Sequence, residues 1–303
     1  VHFSAQGNFG SDDSRPLKED TLFRIFSMTK PITTVAAMML YEAGAFHLSD
    51  PVSRYLPEFE SVQLLRDGKL VAPQRPVTIG QLMTHTAGLS YGWHPNDPVD
   101  QAYAKADLIN STSSDDFIQR LSGLPLRFEP GSRYHYSVAT DVLGVLVERL
   151  SGMSLEDFFQ TRIFAPLGMS DTFFNVPSDK LDRFAPNHYW NAQLGAIAPI
   201  PEASAQPFTG VTTFSGGGGL VSTAQDYWIF CEMLRRGGSY NGARILGPKT
   251  VQFMTADHLT PEVRNRGVGE YPDSHLYPGQ SAGLGFGVIT DPGQTGVISS
   301  KGA

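Results

Sequence analysis

A serine and a lysine three positions apart, between a predicted strand and a predicted helix, constrain this chain more than any other feature. The segment 21–26 is rich in β-branched and aromatic residues, which is typical of a strand. In the segment 32–43, apolar residues recur every three or four positions, which indicates one buried helix face. Ser27 and Lys30 therefore stand at the start of a helix and share one face of it. Pro31 then falls in the first turn, where its missing N–H costs nothing.

This arrangement is able to activate a serine hydroxyl. A hydroxyl is a poor nucleophile unless a base or a nearby cation helps to remove its proton, and Lys30 can supply that help. The start of the helix adds free N–H groups and the positive end of the helix dipole. The alternative is that Ser27 only caps the helix and that Lys30 is a solvated cation, so the motif requires partners elsewhere in the chain.

Tyr136 is the best candidate for the group that carries a proton between the nucleophile and the leaving group. It follows a Pro-Gly turn at 130–131 and precedes an apolar helical pattern over 138–150. A tyrosine with a pKa of about 10 is a poor base at neutral pH unless a cation stabilises the phenolate, and Lys30 could supply that charge. The alternative is that Tyr136 is an ordinary half-buried aromatic residue.

Four motifs in this order and spacing resemble the β-lactamase-related serine hydrolases. They are Ser-Met-Thr-Lys at 27–30, His-Thr-Ala-Gly-Leu at 85–89, the tyrosine segment 130–137 and the glycine run with its continuation at 216–223. The superfamily includes class C β-lactamases, D-alanyl-D-alanine peptidases and family VIII carboxylesterases, and the chain resembles the esterases most closely. The resemblance covers nearly the whole chain and implies an α/β (α+β) fold of the β-lactamase/transpeptidase type. In that fold an antiparallel sheet is flanked by helices and carries an inserted, mainly helical lobe.

The same resemblance implies a role for each catalytic candidate. Ser27 would be the acylated nucleophile, Lys30 its activating cation and Tyr136 the general base and acid. The three groups would titrate as a coupled set. His85 is expected to brace a turn, and the glycines 216–219 are expected to give flexible backbone beside the cleft.

Three further residues bear on the substrate. The family's tyrosine motif is often Tyr-x-Asn, and its asparagine helps to hold an amide of the substrate in lactamases and peptidases. Val138 occupies that position here, which favours a simple ester because a site built around a polar partner discriminates strongly against its loss. Trp93 and Tyr189 are aromatic candidates for the lining of an apolar acyl pocket, although either could equally be a packing residue.

A third family motif, of the Lys-Thr-Gly, His-x-Gly or Trp-Gly-Gly type, is not found in the chain. The family spacing places it just beyond Ala303, on a strand that contributes one N–H of the oxyanion hole, while Ser27 contributes the other. Lys249 and Thr250 do not qualify, because Val251 follows them within a predicted helix.

A rival nucleophile, Ser281, lies in a Gly-x-Ser-x-Gly pattern at 279–283. That pattern requires a preceding strand, a following helix and a later histidine. Here a Tyr-Pro pair precedes it, a glycine-rich strand follows it, and no histidine occurs after His275. Ser281 is therefore rejected as the nucleophile.

The order of predicted elements divides the chain into two lobes that form one catalytic unit. Residues 1–48 and 215–303, with strands expected at 1–9, 21–26 and 284–290, form an α/β lobe. Residues 49–214 form a mainly helical lobe, and a cleft is expected between the two. Both ends of the sequence are abrupt, so the α/β lobe is expected to be truncated at both ends.

Composition excludes several classes of function. The chain of 303 residues has a formal charge of −7 and no basic run, which argues against binding to nucleic acid. No apolar run approaches the roughly 18 residues that indicate a membrane span. The histidines show no ligand spacing, so neither a metal nor an organic cofactor is expected. Oligomeric state and compartment stay open, with the cytoplasm favoured and the periplasm as the alternative if a signal peptide precedes Val1.

The sequence therefore predicts a serine hydrolase that forms an acyl-enzyme, in the first place a carboxylesterase acting on small, short-chain esters. The small-molecule partner is thus expected to be an ester, with a β-lactam as the alternative. The enzymatic alternative is a β-lactamase or D-alanyl-D-alanine carboxypeptidase. The alternative from another class is a catalytically silent cell-wall-binding or regulatory relative.

Overall fold

A computed structural model describes residues 2–201, 208–267, 269 and 272–303 of the chain, in which short strands lie on either side of a run of helices. Within these ranges the helices are α1 (Thr29–Glu42), α2 (Ile79–Met83), α3 (Pro98–Ala106), α4 (Ser114–Ser122), α5 (Ala139–Ser151), α6 (Leu155–Phe159), α7 (Ala165–Leu167), α8 (Ala224–Arg235), α9 (Pro248–Met254), α10 (Pro261–Asn265) and α11 (Pro292–Thr295). The strands are β1 (Phe23–Arg24), β2 (Leu64–Arg66), β3 (Lys69–Val71), β4 (His188–Asn191), β5 (Ala196–Pro199), β6 (Val221–Ser222), β7 (Ser239–Tyr240), β8 (Ala243–Arg244), β9 (Gln280–Ala282) and β10 (Gly287–Ile289). These strands form antiparallel pairs, namely β1 with β6, β2 with β3, β4 with β5, β7 with β8, and β9 with β10.

Helices α1 and α5 pack against each other and organise the hydrophobic core. The buried face of α1 includes Ile32 and Val35, and that of α5 includes Val142 and Leu146, all fully buried. These are the apolar repeats that the sequence shows at three- and four-residue spacing, so burial of one face is what holds each helix in place. The catalytic candidates Lys30 and Tyr136 lie at or just before the beginnings of these two helices.

Several helices begin where the sequence predicts, because a local side chain satisfies a free N–H. Thr78 accepts a hydrogen bond from the N–H of Gln81, whose side chain accepts one from the N–H of Thr78, which completes a capping box at α2. Ser113, Ser154 and Thr223 likewise accept from the N–H three residues onward at the starts of α4, α6 and α8. The sequence predicts these helix starts from polar residues suited to capping, namely Thr78, Ser113 or Ser114, Ser154 and Thr223, and all four starts are confirmed.

Strand predictions in the outer segments are less accurate. The strand expected at 1–9 is wrong for the described residues 2–9, where Asn8 forms only an isolated bridge with Pro16. The strands expected at 21–26 and 284–290 shrink to β1 and β10. A strand extends only as far as a partner offers backbone hydrogen bonds, and local composition cannot show where that partner ends.

The segment 49–214, predicted as a mainly helical lobe, contains α2 to α7 together with the hairpins β2–β3 and β4–β5. Helices α6 and α7 are joined by a π-helical stretch, Gln160–Phe164. No helix in the described part of the chain is both long and apolar enough to cross a bilayer.

Candidate active site

Ser27 lies in a short 3-10 turn, Phe26–Met28, directly before α1. The preceding residue, Phe26, has a φ of +43°, in the left-handed region that a bulky side chain rarely adopts. Such a conformation costs on the order of 1–3 kcal/mol and persists only where surrounding contacts impose it. Here the N–H of Ile25 donates to the carbonyl of Leu220 at 3.0 Å, and the N–H of Leu220 donates to Thr29 Oγ1 at 3.2 Å. The turn that presents Ser27 is thus anchored on both sides to the segment before β6.

Lys30 is almost entirely buried beside Ser27. Its Nζ donates to Ser27 Oγ at 3.2 Å, contacts the hydroxyl of Tyr91 at 3.0 Å and donates to the carbonyl of Gly217 at 2.6 Å. Burial lowers the pKa of Lys30 to about 8, and the carboxylate of Asp141 acts in the opposite direction. At pH 7 about a tenth of this lysine is therefore neutral, far more than for a solvated lysine with a pKa of about 10.5.

Tyr136 completes the cluster, with its ring centroid 4.7 Å from Lys30 Nζ. Burial raises the pKa of Tyr136 to about 12, hydrogen bonding with Ser27 lowers it, and the charge of Asp141 raises it. The phenol therefore holds its proton at neutral pH. Its backbone N–H donates to the carbonyl of Asp273 at 2.8 Å, which ties the tyrosine segment to the chain ahead of β9.

His85 packs against the ring of Tyr136. Its φ is +52°, its Nδ1 accepts from the N–H of Ser137 at 3.3 Å, and its ring centroid lies 4.7 Å from that of Tyr136. Burial lowers the pKa of His85 well below its ordinary value, and the nearby charge of Lys30 acts in the same direction. A neutral, immobilised imidazole fits the expectation that His85 braces a turn.

Two residues of the cluster escaped the sequence reasoning. Tyr91, which as an aromatic residue is by default expected to be a packing residue, contacts Lys30 and stacks on Trp93 at a centroid distance of 4.7 Å and an interplanar angle of 11°. Asp141 accepts hydrogen bonds from Ser215 and Gly217. The only sequence feature that could have indicated these two residues is their proximity to a motif. Tyr91 follows the 85–89 motif, and Asp141 lies in the first turn of the helix after Tyr136.

The glycine run 216–219 is closely packed, which differs from the expectation of flexibility. A Cβ at Gly216 would lie 2.8 Å from the carbonyl oxygen of Thr140, and one at Gly217 would lie 2.3 Å from Asp141 Oδ2. The carbonyl of Gly216 also accepts from Thr33 Oγ1 at 2.7 Å. Glycine is required here because the backbone approaches the start of α5 too closely for any side chain.

Two cavities open at the cluster, and Ser27 and Tyr136 line both. The larger has a volume of about 470 Å³ and includes the predicted substrate residues Trp93 and Val138 in its wall. Its remaining wall is mainly apolar, with contributions from Tyr103, Leu108, Phe117, Val145, Phe174 and Phe214. The smaller, of about 310 Å³, is lined on its other side by Lys30, His275, Phe286 and several glycines between 283 and 287.

The other sequence candidates lie elsewhere. Tyr189 is exposed on β4, where its hydroxyl accepts from Asn191 Nδ2 at 3.1 Å, and it lies outside the lining of both cavities. Its role in substrate binding stays a prediction. Ser281 is buried on β9 and donates to Asp257 Oδ1 at 2.5 Å, and Lys249 lies in α9, as expected of residues rejected from the site.

The structure thus brings a serine on an anchored turn, a buried lysine and a tyrosine together at the mouth of an apolar cavity, an arrangement that fits a serine hydrolase. The family model described as Beta-lactamase matches residues 1–302, and the chain belongs to that family. Similarity to solved structures is high for EstCE1, described as a hydrolase with promiscuous acyltransferase activity, with a TM-score of 0.80 and 28% identity over 99% of this chain and 78% of that one. Simvastatin synthase LovD from Aspergillus terreus matches with a TM-score of 0.78 and 27% identity, over 96% of this chain and 74% of that one. These neighbours confirm the predicted β-lactamase/transpeptidase-like fold.

Two curated relatives extend the comparison. Esterase EstB of Burkholderia gladioli is 36% identical over 250 residues, which cover 76% of this chain and 61% of EstB. Protein Rv1367c of Mycobacterium tuberculosis is 36% identical over 299 residues, which cover 96% of this chain and 72% of that protein. Together with the family match, these relatives identify the protein as an enzyme, so the catalytically silent alternative is set aside.

Proposed function

We propose that this protein is a carboxylesterase that hydrolyses small esters through an acyl-enzyme on Ser27. The observation that carries the proposal is the convergence of Ser27, Lys30 and Tyr136 at the mouth of the 470 Å³ cavity. The cavity wall is mostly apolar, which suits the acyl part of an ester. Similarity to esterase EstB supports the same reading.

In the first half-reaction, Ser27 Oγ attacks the ester carbonyl and forms a new C–O bond. Neutral Lys30, 3.2 Å from Oγ, is proposed to accept the serine proton in place of Tyr136, the base that the family resemblance implies. The reason is that the pKa of Lys30, about 8, is much closer to neutrality than that of Tyr136, about 12. The tetrahedral intermediate then expels the alkoxide, which takes a proton from Tyr136. Lys30 returns a proton to Tyr136, and the alcohol departs from an acylated Ser27.

In the second half-reaction, water attacks the acyl carbon and the same groups run in reverse. Tyr136 or Lys30 accepts the proton of the water, and the carboxylic acid leaves as Ser27 Oγ regains a proton. The N–H of Ser27, at the turn before α1, is proposed to contribute to the oxyanion hole.

The substrate is proposed to be an ester in preference to a β-lactam. Val138 lies in the cavity wall at the position where the family's lactamases and peptidases often carry an asparagine, so no amide partner is available from that position. The alternative that uses the same acyl-enzyme chemistry is a β-lactamase or D-alanyl-D-alanine carboxypeptidase. Relative rates on p-nitrophenyl esters and on cephalosporins would separate these activities.

Transfer of the acyl group to an alcohol is a second candidate. EstCE1 and LovD, both similar in structure, are described as a hydrolase with promiscuous acyltransferase activity and as a simvastatin synthase. The stacked rings of Tyr91 and Trp93 beside the nucleophile would offer an acceptor alcohol an apolar surface. Product analysis in the presence of a small alcohol would detect the transferred ester.

The experiment that tests the proposal is intact-mass spectrometry after brief exposure to a short-chain p-nitrophenyl ester or a fluorophosphonate. We expect one covalent adduct on the protein and none on Ser27→Ala. Ser281→Ala, which removes the rejected nucleophile, should retain the adduct. No adduct on the unaltered protein, or an adduct that persists in Ser27→Ala, would contradict the proposal.

A further inference from the structure

We propose that Asp141 is a positioning residue for proton transfer: its carboxylate holds the backbone at 215–217 so that the carbonyl of Gly217 keeps Lys30 against Ser27. The inference rests on the proposed function, since it concerns how the proton acceptor of Ser27 is held. Asp141 lines the larger cavity, and among the described residues it forms hydrogen bonds with Ser215 and Gly217 and none with Ser27 or Lys30. It acts through the glycine run.

The contacts form an unbroken path from α5 to the lysine. Asp141 Oδ1 accepts from Ser215 Oγ at 2.5 Å and from the N–H of Gly217 at 3.0 Å. The carbonyl of the same glycine accepts from Lys30 Nζ at 2.6 Å, the shortest of the three contacts of that ammonium group. One residue of the run is therefore gripped through its N–H and holds Lys30 through its carbonyl.

Steric fit makes this grip precise. A Cβ at Gly217 would lie 2.3 Å from Asp141 Oδ2 and 2.8 Å from the carboxyl carbon, so the backbone rests directly on the carboxylate. The neighbouring Gly216 is pressed against Thr140 and Gly144 on the same helix. Helix α5 is buried in the core, so the segment 215–217 that packs against it is held as rigidly as the helix. A small displacement of Asp141 would therefore also displace Lys30.

Charge supports the same assignment. The Asp141 carboxylate raises the pKa of Lys30 against the larger lowering effect of burial, and it also contributes to the raised pKa values of Tyr91 and Tyr136. The other titratable groups around the ammonium are the imidazoles of His85 and His275, whose pKa values are lowered by burial and by the charge of Lys30. Among the groups that act on Lys30, Asp141 is thus the anion that opposes desolvation.

Asp141 could instead stabilise only the fold, and a second aspartate of the chain provides a matched control for that alternative. Asp226 is the third residue of α8, as Asp141 is of α5. Its Oδ2 accepts from the N–H of Asp171 at 2.7 Å and from Thr172 Oγ1 at 3.0 Å, so it also grips a loop through one N–H and one hydroxyl. Asp226 lies outside the lining of both cavities, so Asp226→Asn makes the same chemical change away from the site.

The test compares Asp141→Asn, Asp226→Asn and Ser215→Ala with the unaltered protein. Two quantities are followed against pH: the rate of acylation by a p-nitrophenyl ester, and the ¹³C shift of Lys30 Cε, assigned by its absence from the Lys30→Met spectrum. In Asp141→Asn we expect the Lys30 midpoint to fall by about half a pH unit or more, because the charged form loses its anion. We also expect the maximal acylation rate to fall at least about tenfold, because the acceptor is misplaced.

The control variants separate the effect of Asp141 on the position of Lys30 from the effect of its charge on the pKa of Lys30. Ser215→Ala removes one contact to Asp141 and no charge, so it should lower the maximal rate partially and leave the Lys30 midpoint close to that of the unaltered protein. Asp226→Asn should leave both quantities unchanged. Three results would each overturn the inference. In Asp141→Asn, the Lys30 titration midpoint and the acylation rate could both be unchanged, or the midpoint could shift while the rate does not fall. The third is a loss of acylation rate in Asp226→Asn equal to that in Asp141→Asn. The Lys30 titration is measured by NMR on the lysine itself and does not require acylation. If the protein were never acylated, the proposed function would be refuted, and the titration midpoint of Lys30 would still test the effect of Asp141 on that lysine.

Discussion

At the scale of single residues, the site is built from groups that the fold holds in unfavourable states. Phe26 is kept at a positive φ, and Lys30 is buried with its ammonium group on one hydroxyl, one phenol and one carbonyl. Each state would relax in a free peptide, and each places a reacting atom where the proposed chemistry requires it. The cost should therefore be measurable as lost stability.

Replacing Lys30 by methionine should abolish acylation and raise stability at neutral pH. The unfolded lysine titrates at about 10.5 and the folded one at about 8, so the charged form is disfavoured in the folded protein. The difference corresponds to at most about 3 kcal/mol in the free energy of unfolding below pH 8. Between about pH 8 and 10.5 the unfolded state binds more protons, so the stability of the unaltered protein rises and the advantage of Lys30→Met disappears.

Urea denaturation at pH 7 and at pH 10.5 measures this effect. The matched control is Lys105→Met, because Lys105 is exposed near the end of α3. A Lys30→Met variant no more stable than the unaltered protein at pH 7, or an equal gain in the control, would contradict the expectation.

The acylation rate should rise as the pH increases through about 8. Lys30 loses its proton in this range, and its neutral form is the proposed acceptor, whereas Tyr136, with a pKa of about 12, stays protonated. Stopped-flow acylation by a p-nitrophenyl ester between pH 6 and 9.5 provides the profile. A rate independent of pH across this range would argue that Lys30 does not accept the proton.

At the scale of elements, the decisive contact is between the glycine run 216–219 and the start of α5. Secondary structure alone does not produce this contact, since the run carries no regular structure and the helix begins much earlier in the chain, at Ala139. It arises because α1 and α5 pack together and β1 pairs with β6, which brings the run between the two helices. The run lies where Lys30 needs an acceptor and Asp141 needs donors.

Gly216→Ala should damage the site far more than Gly218→Ala. At Gly216 the added methyl group would lie 2.8 Å from a backbone oxygen on α5, so the run must move away from the helix. At Gly218 the nearest atom to the added group is 3.8 Å away, which is an ordinary contact. Acylation kinetics with thermal melting of both variants should show a loss of at least about tenfold confined to Gly216→Ala. Equal losses in the two variants would show that the close approach does not matter for the rate.

At the scale of the whole molecule, the larger cavity draws its wall from both predicted lobes. Phe26, Ser27, Ser215 and the glycines 217–219 come from the predicted α/β lobe, and most of the apolar lining comes from the predicted helical lobe, residues 49–214. The size of a cavity walled by separate segments is set by the side chains on either side. Substrate range is therefore open to change without touching the reacting groups.

Filling the cavity at Val145 should shorten the range of acyl chains. Val145 is buried on α5 and contributes to the cavity wall, so Val145→Phe occupies space intended for the substrate. We expect kcat/KM for hexanoate esters to fall at least about tenfold relative to acetate esters, because an excluded chain loses its buried methylene contacts. Val147→Phe, on the same helix but outside the cavity wall, serves as the control for overpacking. A parallel fall on both esters in Val145→Phe would indicate general damage instead of a smaller pocket.

Local information in the sequence accounts for much of the fold and for the core of the candidate site. Helix starts at Thr78, Ser113, Ser154 and Thr223 follow from side chains that reach an N–H three residues away, and the buried faces of α1 and α5 follow from apolar spacing. Ser27 and Lys30 are neighbours for the same reason, since one helical turn brings them together. Motifs that resemble a known family added Tyr136, whose catalytic role remains a prediction.

Tertiary packing alone decided the rest. The strain at Phe26, the contact of Tyr91 with Lys30, and the path from Asp141 through Gly217 to Lys30 join residues that are distant in sequence. No spacing rule contains these distances, because they depend on how separate helices and loops settle against one another. The sequence by itself therefore determined which chemical groups this protein can use, and the tertiary structure decided their environment, since burial and neighbouring charge exist only once the chain is packed.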